Sequence, residues 1–208
     1  MAGSPIRLAL ATNNPHKVRE LSRLLDIALL SPADLGLRMD VEETGVTFEA
    51  NAALKSRWLA TAANVPAIAD DSGIVVDALN GEPGVYSARY GGEGLDDRDR
   101  RLLILKNLKG IPDHERTARY VCVIAVSIPG QQDLLFRGEC EGQIIHEERG
   151  TGGFGYDPIF LDLETKRTFA ELSPAEKDAR SHRGRALELF KSWMVKSGAD
   201  LLRSARQV

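Results

Sequence analysis

The sequence has few of the features that mark secreted or membrane-spanning proteins. It contains only two cysteines, Cys122 and Cys140. Both lie in predicted strands, so we expect buried free thiols in a reducing compartment rather than a disulfide framework. No apolar run approaches the length of a membrane span, and Leu8 to Ala11 is too short for the apolar core of a signal peptide. These absences predict a cytoplasmic protein that does not bind a membrane.

The chain also lacks an excess of positive charge. Its formal net charge is −3, so there is no overall positive field to attract duplex nucleic acid. A local basic cluster can still hold a phosphate ligand. A hydrophobic content of 43% and a charged content of 27% are typical of a globular protein. The 208 residues suffice for one large domain or one domain with two lobes.

Two adjacent carboxylates stand at the centre of the sequence pattern. The apolar run Ala67 to Ala69 predicts a buried strand, and Asp70 and Asp71 follow it directly. Ser72-Gly73 then predicts a turn, and Ile74 to Val76 predicts a second strand. Paired carboxylates at a strand end are costly unless a cation or hydrogen-bond donors compensate them. The alternative is a solvated turn, because Asp, Ser and Gly are common turn formers.

A polar turn leads from the first predicted strand, Ile6 to Ala11, into a helix. Asn14 is placed as the N-cap and Pro15 as the first helical residue. A helix N-terminus of this kind favours an anion. Lys17 lies in the first turn, where the helix dipole disfavours a cation. We therefore expect a bound phosphate there, with a solvated surface lysine as the alternative.

A second helix is predicted from Phe48 to Ala63, with Thr47 as its N-cap. It carries Asn51 and Lys55 four residues apart, which places both side chains on one face. Glu42 and Glu43 precede this helix. They are either an exposed acidic pair or a source of one further carboxylate for a cation.

The second half of the chain contains strands, a glycine-rich run and two helices. The pattern predicts strands at Thr117 to Ile128, Leu134 to Cys140 and Gln143 to His146. Ser173 to Glu176 forms a capping box at the start of a helix. A last amphipathic helix turns its apolar side chains inward; they are Leu187, Phe190, Trp193 and Met194.

The run from Gly150 to Pro158 formally satisfies the G-x-G-x-x-G dinucleotide fingerprint. We reject a dinucleotide site because that fingerprint must open a helix, whereas Pro158 to Phe160 predicts an extended segment. We expect instead that the glycines allow the backbone to approach a flat ligand closely, with Phe154 stacking on it.

Seven short motifs, each weak alone, together carry a resemblance to a known family. In order they are T-x-N-x-x-K (Thr12 to Lys17), E-E-T-G-x-T-F (Glu42 to Phe48), N-A-x-L-K (Asn51 to Lys55), A-D-D-S-G (Ala69 to Gly73), Y-S-A-R-Y (Tyr86 to Tyr90), G-T-G-G-F-G-Y-D-P (Gly150 to Pro158) and S-H-R-G (Ser181 to Gly184). The chain resembles the inosine/xanthosine triphosphate pyrophosphatases along nearly its whole length. One departure is Asn13, where bacterial members usually carry Gly. Asn tolerates the left-handed conformation, so we expect the turn to survive.

The resemblance implies an α/β fold. Residues 1–208 would form a single two-lobed domain with a long central mixed sheet and a cleft between the lobes, usually as a homodimer. It implies hydrolysis of ITP, dITP and XTP to the monophosphate and pyrophosphate with Mg²⁺. Two alternatives are a metal-dependent phosphatase that releases orthophosphate and a nucleotide- or RNA-binding module without turnover.

Site residues follow from the same resemblance. Asp71 is implied as the catalytic carboxylate and metal ligand, and Ser72 as a substrate contact. Mg²⁺ prefers oxygen ligands, so Asp71 with Glu43, or with Glu42, is expected to hold it. Lys17, Lys55 and Arg89 could neutralise phosphate charge. The other implied substrate-binding residues are Thr12, Asn13, Asn14, Pro15 and His16 in the triphosphate loop, and Phe154, Gly155, Tyr156, Asp157, Lys177, His182 and Arg183 around the base.

The chemistry of Lys177, His182 and Arg183 predicts a preference among purine bases. Lys and Arg side chains only donate hydrogen bonds, and His can also donate. Hypoxanthine and xanthine offer an acceptor oxygen at purine position 6, where adenine offers an amino donor. Such a pocket therefore favours the keto bases over adenine, although guanine carries the same keto oxygen.

Overall fold

The computed structural model describes residues 6–205, apart from the side chain of Ser204. Its strands are β1 (Arg7–Leu10), β2 (Ala28–Leu30), β3 (Ala67–Val76), β4 (Thr117–Ser127), β5 (Leu134–Ile144) and β6 (Phe160–Asp162). Its helices are α1 (Pro15–Leu24), α2 (Phe48–Ala63), α3 (Asp97–Asn107), α4 (Pro174–Arg180), α5 (His182–Trp193) and α6 (Ala199–Ser204). A π-helical turn, Met194–Gly198, joins α5 to α6.

The six strands form one sheet in the order β2-β1-β3-β4-β5-β6. β1 runs parallel to both β2 and β3, with Leu8 opposite Leu29 and Ala9 opposite Ala67. β6 runs antiparallel to β5, with Gln143 opposite Leu161. The sheet is therefore mixed, and the predicted α/β class is confirmed.

The chain divides into two compact units. The first takes in the described residues up to Asp71, Cys122–Gly138 and the described residues from Arg183 onward. The second takes in Ser72–Val121 and Glu139–His182. Each unit has its own apolar core.

Strand alternation explains how the first unit packs. Successive residues of a strand face opposite sides of the sheet. Leu8, Leu10 and Ile68 pack with side chains of α1 and α5, including Leu21 and Phe190. On the other face, small side chains of β1, of the residue that follows it and of β3 meet Leu59 and Ala60 of α2; they are Ala9, Ala11, Ala67 and Ala69. Alanine on the strands lets α2 lie close to the sheet.

Aromatic rings dominate the core of the second unit. Tyr120 lies 4.6 Å from Phe160 between ring centroids, and Phe160 lies 4.9 Å from Phe169. Ile74 and Val76 of β3 belong to the same cluster. Tyr120 adds a polar hydroxyl to this apolar group, which becomes important for the site below.

The predicted turn at Ser72-Gly73 is wrong, because β3 is continuous from Ala67 to Val76. Gly73 does not adopt a positive φ. Asp70 and Asp71 each find a cation on their own side of the strand, as described below, so the adjacent carboxylates do not force the strand to end.

Two further boundaries differ from the prediction. β5 runs unbroken to Ile144, so Gln143 does not begin a separate strand. Pro158 lies in a short 3₁₀ turn, Asp157–Ile159, and the extended segment starts only at Phe160. The rejection of a dinucleotide fingerprint is consistent with this, since a 3₁₀ turn and a strand, rather than an α-helix, directly follow the glycine-rich run.

The helix starts and the cysteines agree with the sequence prediction. The Asn14 side chain accepts from the backbone N–H groups of His16 and Lys17, and Thr47 caps α2. Ser173 and Glu176 form a reciprocal capping box. Cys122 and Cys140 are buried free thiols. Within residues 6–205, no helix is long and apolar enough to cross a membrane.

Candidate active site

The two central carboxylates have different partners. Asp70 contacts Lys17 of α1 and Arg183 of α5, whereas Asp71 contacts Lys55 of α2. The strand alternation that separates Ile68 from Ala67 and Ala69 also sends Asp70 and Asp71 to opposite faces of the sheet. The two carboxylates therefore form ion pairs with different cations.

Lys55 joins Asp71 to Glu43. Its ammonium nitrogen lies 2.9 Å from Asp71 Oδ1 and 2.6 Å from Glu43 Oε1. Burial alone would lower the pKa of Lys55, but Asp71, Asp70 and Glu43 outweigh it and raise that pKa. Glu42 is exposed. Of the two acidic residues, the structure therefore places Glu43 with Asp71 at the lysine.

Asp71 keeps one oxygen uncommitted. Its Oδ2 atom is buried and has no hydrogen-bond partner within the described part of the chain. Burial raises the pKa of Asp71 above its ordinary value, although Lys55 and Lys17 oppose the shift. A buried carboxylate oxygen without a donor is costly, and a bound cation would satisfy it.

The donor set fits a magnesium site that waters and substrate must complete. Among the residues that the structure describes, no group of three or more His, Cys, Asp or Glu side chains could hold a metal ion. Mg²⁺ is usually bound by one or two carboxylates together with waters and phosphate oxygens. Asp71 and Glu43 supply two carboxylates, and the uncommitted Asp71 Oδ2 is a suitable hard ligand.

A second charged cluster surrounds Asp70. Its Oδ2 lies 3.1 Å from Lys17 Nζ and 2.9 Å from a terminal nitrogen of Arg183. Arg183 also pairs with buried Glu20 of α1. Burial would raise the pKa of Asp70, but Lys17 and Arg183 hold it well below its usual range. Lys17 therefore has an anionic partner in the protein itself, which explains a cation in the first turn without a bound phosphate.

Arg183 lies in the first unit, and its guanidinium bonds two carboxylates. Its Nε and one terminal nitrogen donate to Asp70, and the other terminal nitrogen donates to Glu20. Only 1% of the residue is exposed. Its implied contact with a base stays a prediction.

The predicted triphosphate loop is bonded mainly to itself. Thr12 Oγ1 accepts from the Asn14 N–H at 3.1 Å, and Asn14 Oδ1 accepts from the His16 N–H at 2.9 Å. Asn13 donates to the carbonyl of Met39 at 3.4 Å. Asn13 does not adopt a positive φ, so the turn does not need the left-handed conformation that Gly would favour. Pro15 brings no N–H.

In the second unit, the Asp157 carboxylate accepts hydrogen bonds from three residues. Lys177 and Phe154 were predicted site residues, and Tyr120 was not. Asp157 accepts from Lys177 Nζ at 2.6 Å, from the Phe154 N–H at 2.8 Å and from the Tyr120 hydroxyl at 3.2 Å. A Cβ on Gly153 would lie 2.0 Å from Asp157 Oδ2. Glycine is therefore required at position 153 for this carboxylate to occupy its place.

Aromatic faces cover the same cluster. The Lys177 ammonium lies 4.7 Å from the centroid of the Phe154 ring, within the range of a cation–π contact. His182 stacks on Tyr120, with centroids 4.6 Å apart and planes 7° apart. The structure thus brings together Phe154, Asp157, Lys177 and His182.

Other glycines of the run serve the packing of the protein. A Cβ on Gly150 would lie 2.5 Å from the backbone of Ala170, and one on Gly152 would lie 2.9 Å from the same residue. Gly150 and Gly152 thus allow the chain to approach itself closely. The expected approach of the glycine-rich run to a flat ligand stays a prediction. Gly155 donates to Asp97 at 2.9 Å, and the Tyr156 hydroxyl donates to the carbonyl of Ser87 at 2.7 Å.

Two further predicted substrate contacts are Ser72 and Arg89. Ser72 is half-buried within β3. Arg89 is exposed at the end of a 3₁₀ turn, Gly84–Arg89, with its guanidinium 5.0 Å from the Tyr86 ring centroid. Both belong to the second unit.

Glu20 and Tyr120 carried no predicted role. Glu20 follows Lys17 by one helical turn, and that i, i+3 spacing was a usable signal for a shared face. Tyr120 lies in a strand whose alternation was recognised, but nothing local indicated that its hydroxyl would meet Asp157.

Comparison with known proteins decides the family. The Ham1 family model matches residues 8–193. The chain belongs to the Ham1 family. It is 48% identical over 197 residues to the dITP/XTP pyrophosphatase of Geobacter sulfurreducens, across 93% of this chain and 99% of the relative. The dITP/XTP pyrophosphatase of Bacillus subtilis is 48% identical over 182 residues, 86% of this chain and 92% of the relative.

A solved Ham1 structure has the same fold. The Staphylococcus aureus Ham1 protein superposes with a TM-score of 0.83 at 41% identity. The match covers 90% of this chain and 97% of that structure. The similarity to Ham1 proteins therefore extends over nearly the whole chain in both sequence and fold.

Proposed function

We propose that this Ham1-family protein hydrolyses the non-standard purine nucleoside triphosphates ITP, dITP and XTP to the monophosphate and pyrophosphate. The activity printed for its full-length relatives supports this substrate class. The observation that carries the proposal is the joining of Asp71 and Glu43 by Lys55, with Asp71 Oδ2 left uncommitted. The role of the protein would be to remove deaminated purines from the nucleotide pool.

In this proposal the first unit handles the triphosphate. Asp71 and Glu43 would hold Mg²⁺, which would neutralise phosphate charge when bound. Lys17 and Lys55 add positive charge for the phosphate oxygens, because phosphoryl transfer depends mostly on positioning and charge neutralisation. The Asp71 carboxylate would orient the attacking water and accept its proton.

The cluster around Asp157 is proposed to recognise the base. Phe154 offers a ring face, and Lys177 and His182 offer donors that suit the keto oxygen of hypoxanthine or xanthine. Asp157 holds Lys177 at 2.6 Å, which fixes the direction of its ammonium. Arg183, Ser72, Gly155 and Tyr156 stay proposed substrate contacts on the resemblance. Arg89 stays one because its positive charge can neutralise phosphate.

The setting of the enzyme is also a proposal. Two buried free thiols fit a reducing compartment such as the cytoplasm. The net charge of −3 gives no support to nucleic-acid binding. The family resemblance supports a homodimer, which light scattering on the purified protein would test directly.

A nucleotide panel tests the reaction. The protein is incubated with Mg²⁺ and, separately, ITP, dITP, XTP, ATP and GTP, and pyrophosphate and orthophosphate are measured in parallel. We expect pyrophosphate from the first three nucleotides and little product from ATP or GTP. Orthophosphate as the first product would instead indicate a terminal phosphatase, and tight binding without either product would indicate a binding module.

A further inference from the structure

Asn51 of α2 is a buried polar residue for which the proposed reaction has no use so far. It has 0% exposure and lies one helical turn before Lys55. Its Oδ1 accepts from the backbone N–H of Gly45 at 2.8 Å. Gly45 is two residues beyond Glu43, at the end of a turn at residues 42–45 in which the Thr44 N–H donates to the Glu42 carbonyl. The hydrogen bond from Gly45 to Asn51 therefore ties this turn to α2.

The orientation of the Asn51 side chain is fixed by its partner. A backbone N–H can only donate, so the carboxamide oxygen must face Gly45. The Nδ2 group is then directed elsewhere, and it is buried with no hydrogen-bond partner in the portion of the chain described. An unsatisfied buried donor lowers stability. An apolar residue would avoid that loss but would leave the Gly45 N–H without its acceptor, so what asparagine supplies at this position is the hydrogen bond to Gly45.

Gly45 has no side chain that would block this contact. A Cβ at position 45 would lie 2.5 Å from Asn51 Oδ1 and 2.8 Å from the Cβ of Ala50. Any side chain there must push the turn away from α2. The hydrogen bond therefore depends on both partners, an amide oxygen at position 51 and the absence of a side chain at position 45.

We propose that Asn51 is a positioning residue for the metal site: through Gly45 it fixes the turn that presents Glu43 beside Asp71. The inference rests on the proposed role of Glu43 as a metal ligand. Residues that orient metal ligands matter nearly as much as the ligands, and their loss typically weakens metal affinity or activity roughly 10- to 100-fold.

The test breaks the same link from each side. Asn51→Ala removes the acceptor, Gly45→Ala displaces the turn, and the double variant removes both. Ser56→Ala is the matched control. Ser56 is buried on the same helix, and its hydroxyl lies 2.7 Å from that of Ser127, so its loss loosens α2 without touching Gly45.

Affinity for the α,β-imido analogue of ITP is measured by calorimetry, once with Mg²⁺ and once with EDTA, and the melting temperature is recorded for each variant. We expect Asn51→Ala and Gly45→Ala each to weaken the Mg²⁺-dependent affinity roughly 10- to 100-fold. In EDTA, the affinity of each variant for the analogue should stay near that of the parent. With Mg²⁺, the double variant should bind the analogue no more weakly than the single variant that has the lower affinity. Ser56→Ala should lower only the melting temperature.

The inference is overturned if Asn51→Ala behaves like Ser56→Ala, with a lower melting temperature and unchanged Mg²⁺ dependence. It is also overturned if the two single effects add in the double variant. Should Asn51→Ala fail to fold, Gly45→Ala decides the matter with Asn51 in place. Calorimetry reports on the link between Asn51 and Gly45 without turnover. Release of pyrophosphate from ITP by the parent protein therefore tests the proposed function separately.

Discussion

Asp71 is the residue on which the proposed chemistry depends most. Asp71→Asn keeps the size of the side chain but removes its negative charge, so it loses both a metal ligand and a proton acceptor. We expect turnover of ITP to fall at least about 10³-fold, as is typical when a group that acts directly on the reacting atoms is removed. Circular dichroism would establish that the variant folds. Near-parental activity in a folded variant would remove Asp71 from the catalytic role.

Lys177 and Lys17 should affect catalysis in different ways. Lys177→Met removes a donor proposed to meet the base, so kcat/KM should fall more for ITP than for ATP. The Tyr120 hydroxyl and the Phe154 N–H still bond Asp157 in that variant. Lys17→Ala removes phosphate charge and should weaken all nucleotides by a similar factor. Equal losses for ITP and ATP in Lys177→Met would contradict its assignment to the base.

The two cysteines should be inert in the native protein. Cys122 is fully buried, and burial raises the pKa of its thiol to about 12; Cys140 is 2% exposed. Only a thiolate reacts readily with a disulfide reagent. A colorimetric thiol assay should detect neither cysteine until denaturant is added. Rapid labelling of the native protein would show that one thiol is accessible.

The packing of α2 on the sheet places Lys55, and it depends on small strand residues. Ala67 faces α2 with no exposed surface. Ala67→Leu should therefore overpack this layer and destabilise the protein by roughly 1–3 kcal/mol, and the shift of α2 should also lower kcat/KM. The neighbouring Ile68→Leu, on the opposite face, nearly conserves volume and should cost less than about 1.5 kcal/mol.

Urea denaturation and kinetics on the two variants would separate these effects. The argument fails if Ala67→Leu retains parental stability, or if Ile68→Leu disturbs activity as much. The comparison is direct because the two positions are adjacent in β3 and differ in which face of the sheet they occupy.

The elements that could be predicted are those encoded by neighbouring residues. The caps of α1, α2 and α4 rest on side chains within three positions of the helix start, and the sequence placed all three. The turn predicted at Ser72-Gly73 was wrong because contacts with distant residues outweigh the local signal. The local signal favours a turn, but Asp70 and Asp71 are compensated by Lys17, Arg183 and Lys55 from three different helices.

The same limit applies to the site. The motif resemblance named Asp71, Lys55 and Glu43, but their spacing along the chain does not say which oxygen meets which nitrogen. Glu20 and Arg183 are separated by 163 positions and still form one buried pair. Tyr120 and Asp157 meet only through the fold of the second unit. Partners this distant are not encoded in any local pattern.

The whole molecule contains two units whose strands are shared. β3, β4 and β5 each contribute residues to both units, with the boundaries at Asp71/Ser72, Val121/Cys122 and Gly138/Glu139. Unfolding of one unit alone would interrupt these three strands within their length. We therefore expect a single cooperative unfolding transition rather than two.

The aromatic residues allow this expectation to be tested without labels. Both tryptophans, Trp58 and Trp193, lie in the first unit, and all four tyrosines, Tyr86, Tyr90, Tyr120 and Tyr156, lie in the second. Tryptophan fluorescence therefore follows one unit, and tyrosine absorbance follows the other. Coincident urea midpoints and slopes are expected, because coincidence of independent probes is the mark of two-state unfolding. If the tyrosine signal changes at a clearly different urea concentration, the shared strands do not couple the units, and the prediction of a single domain fails with them.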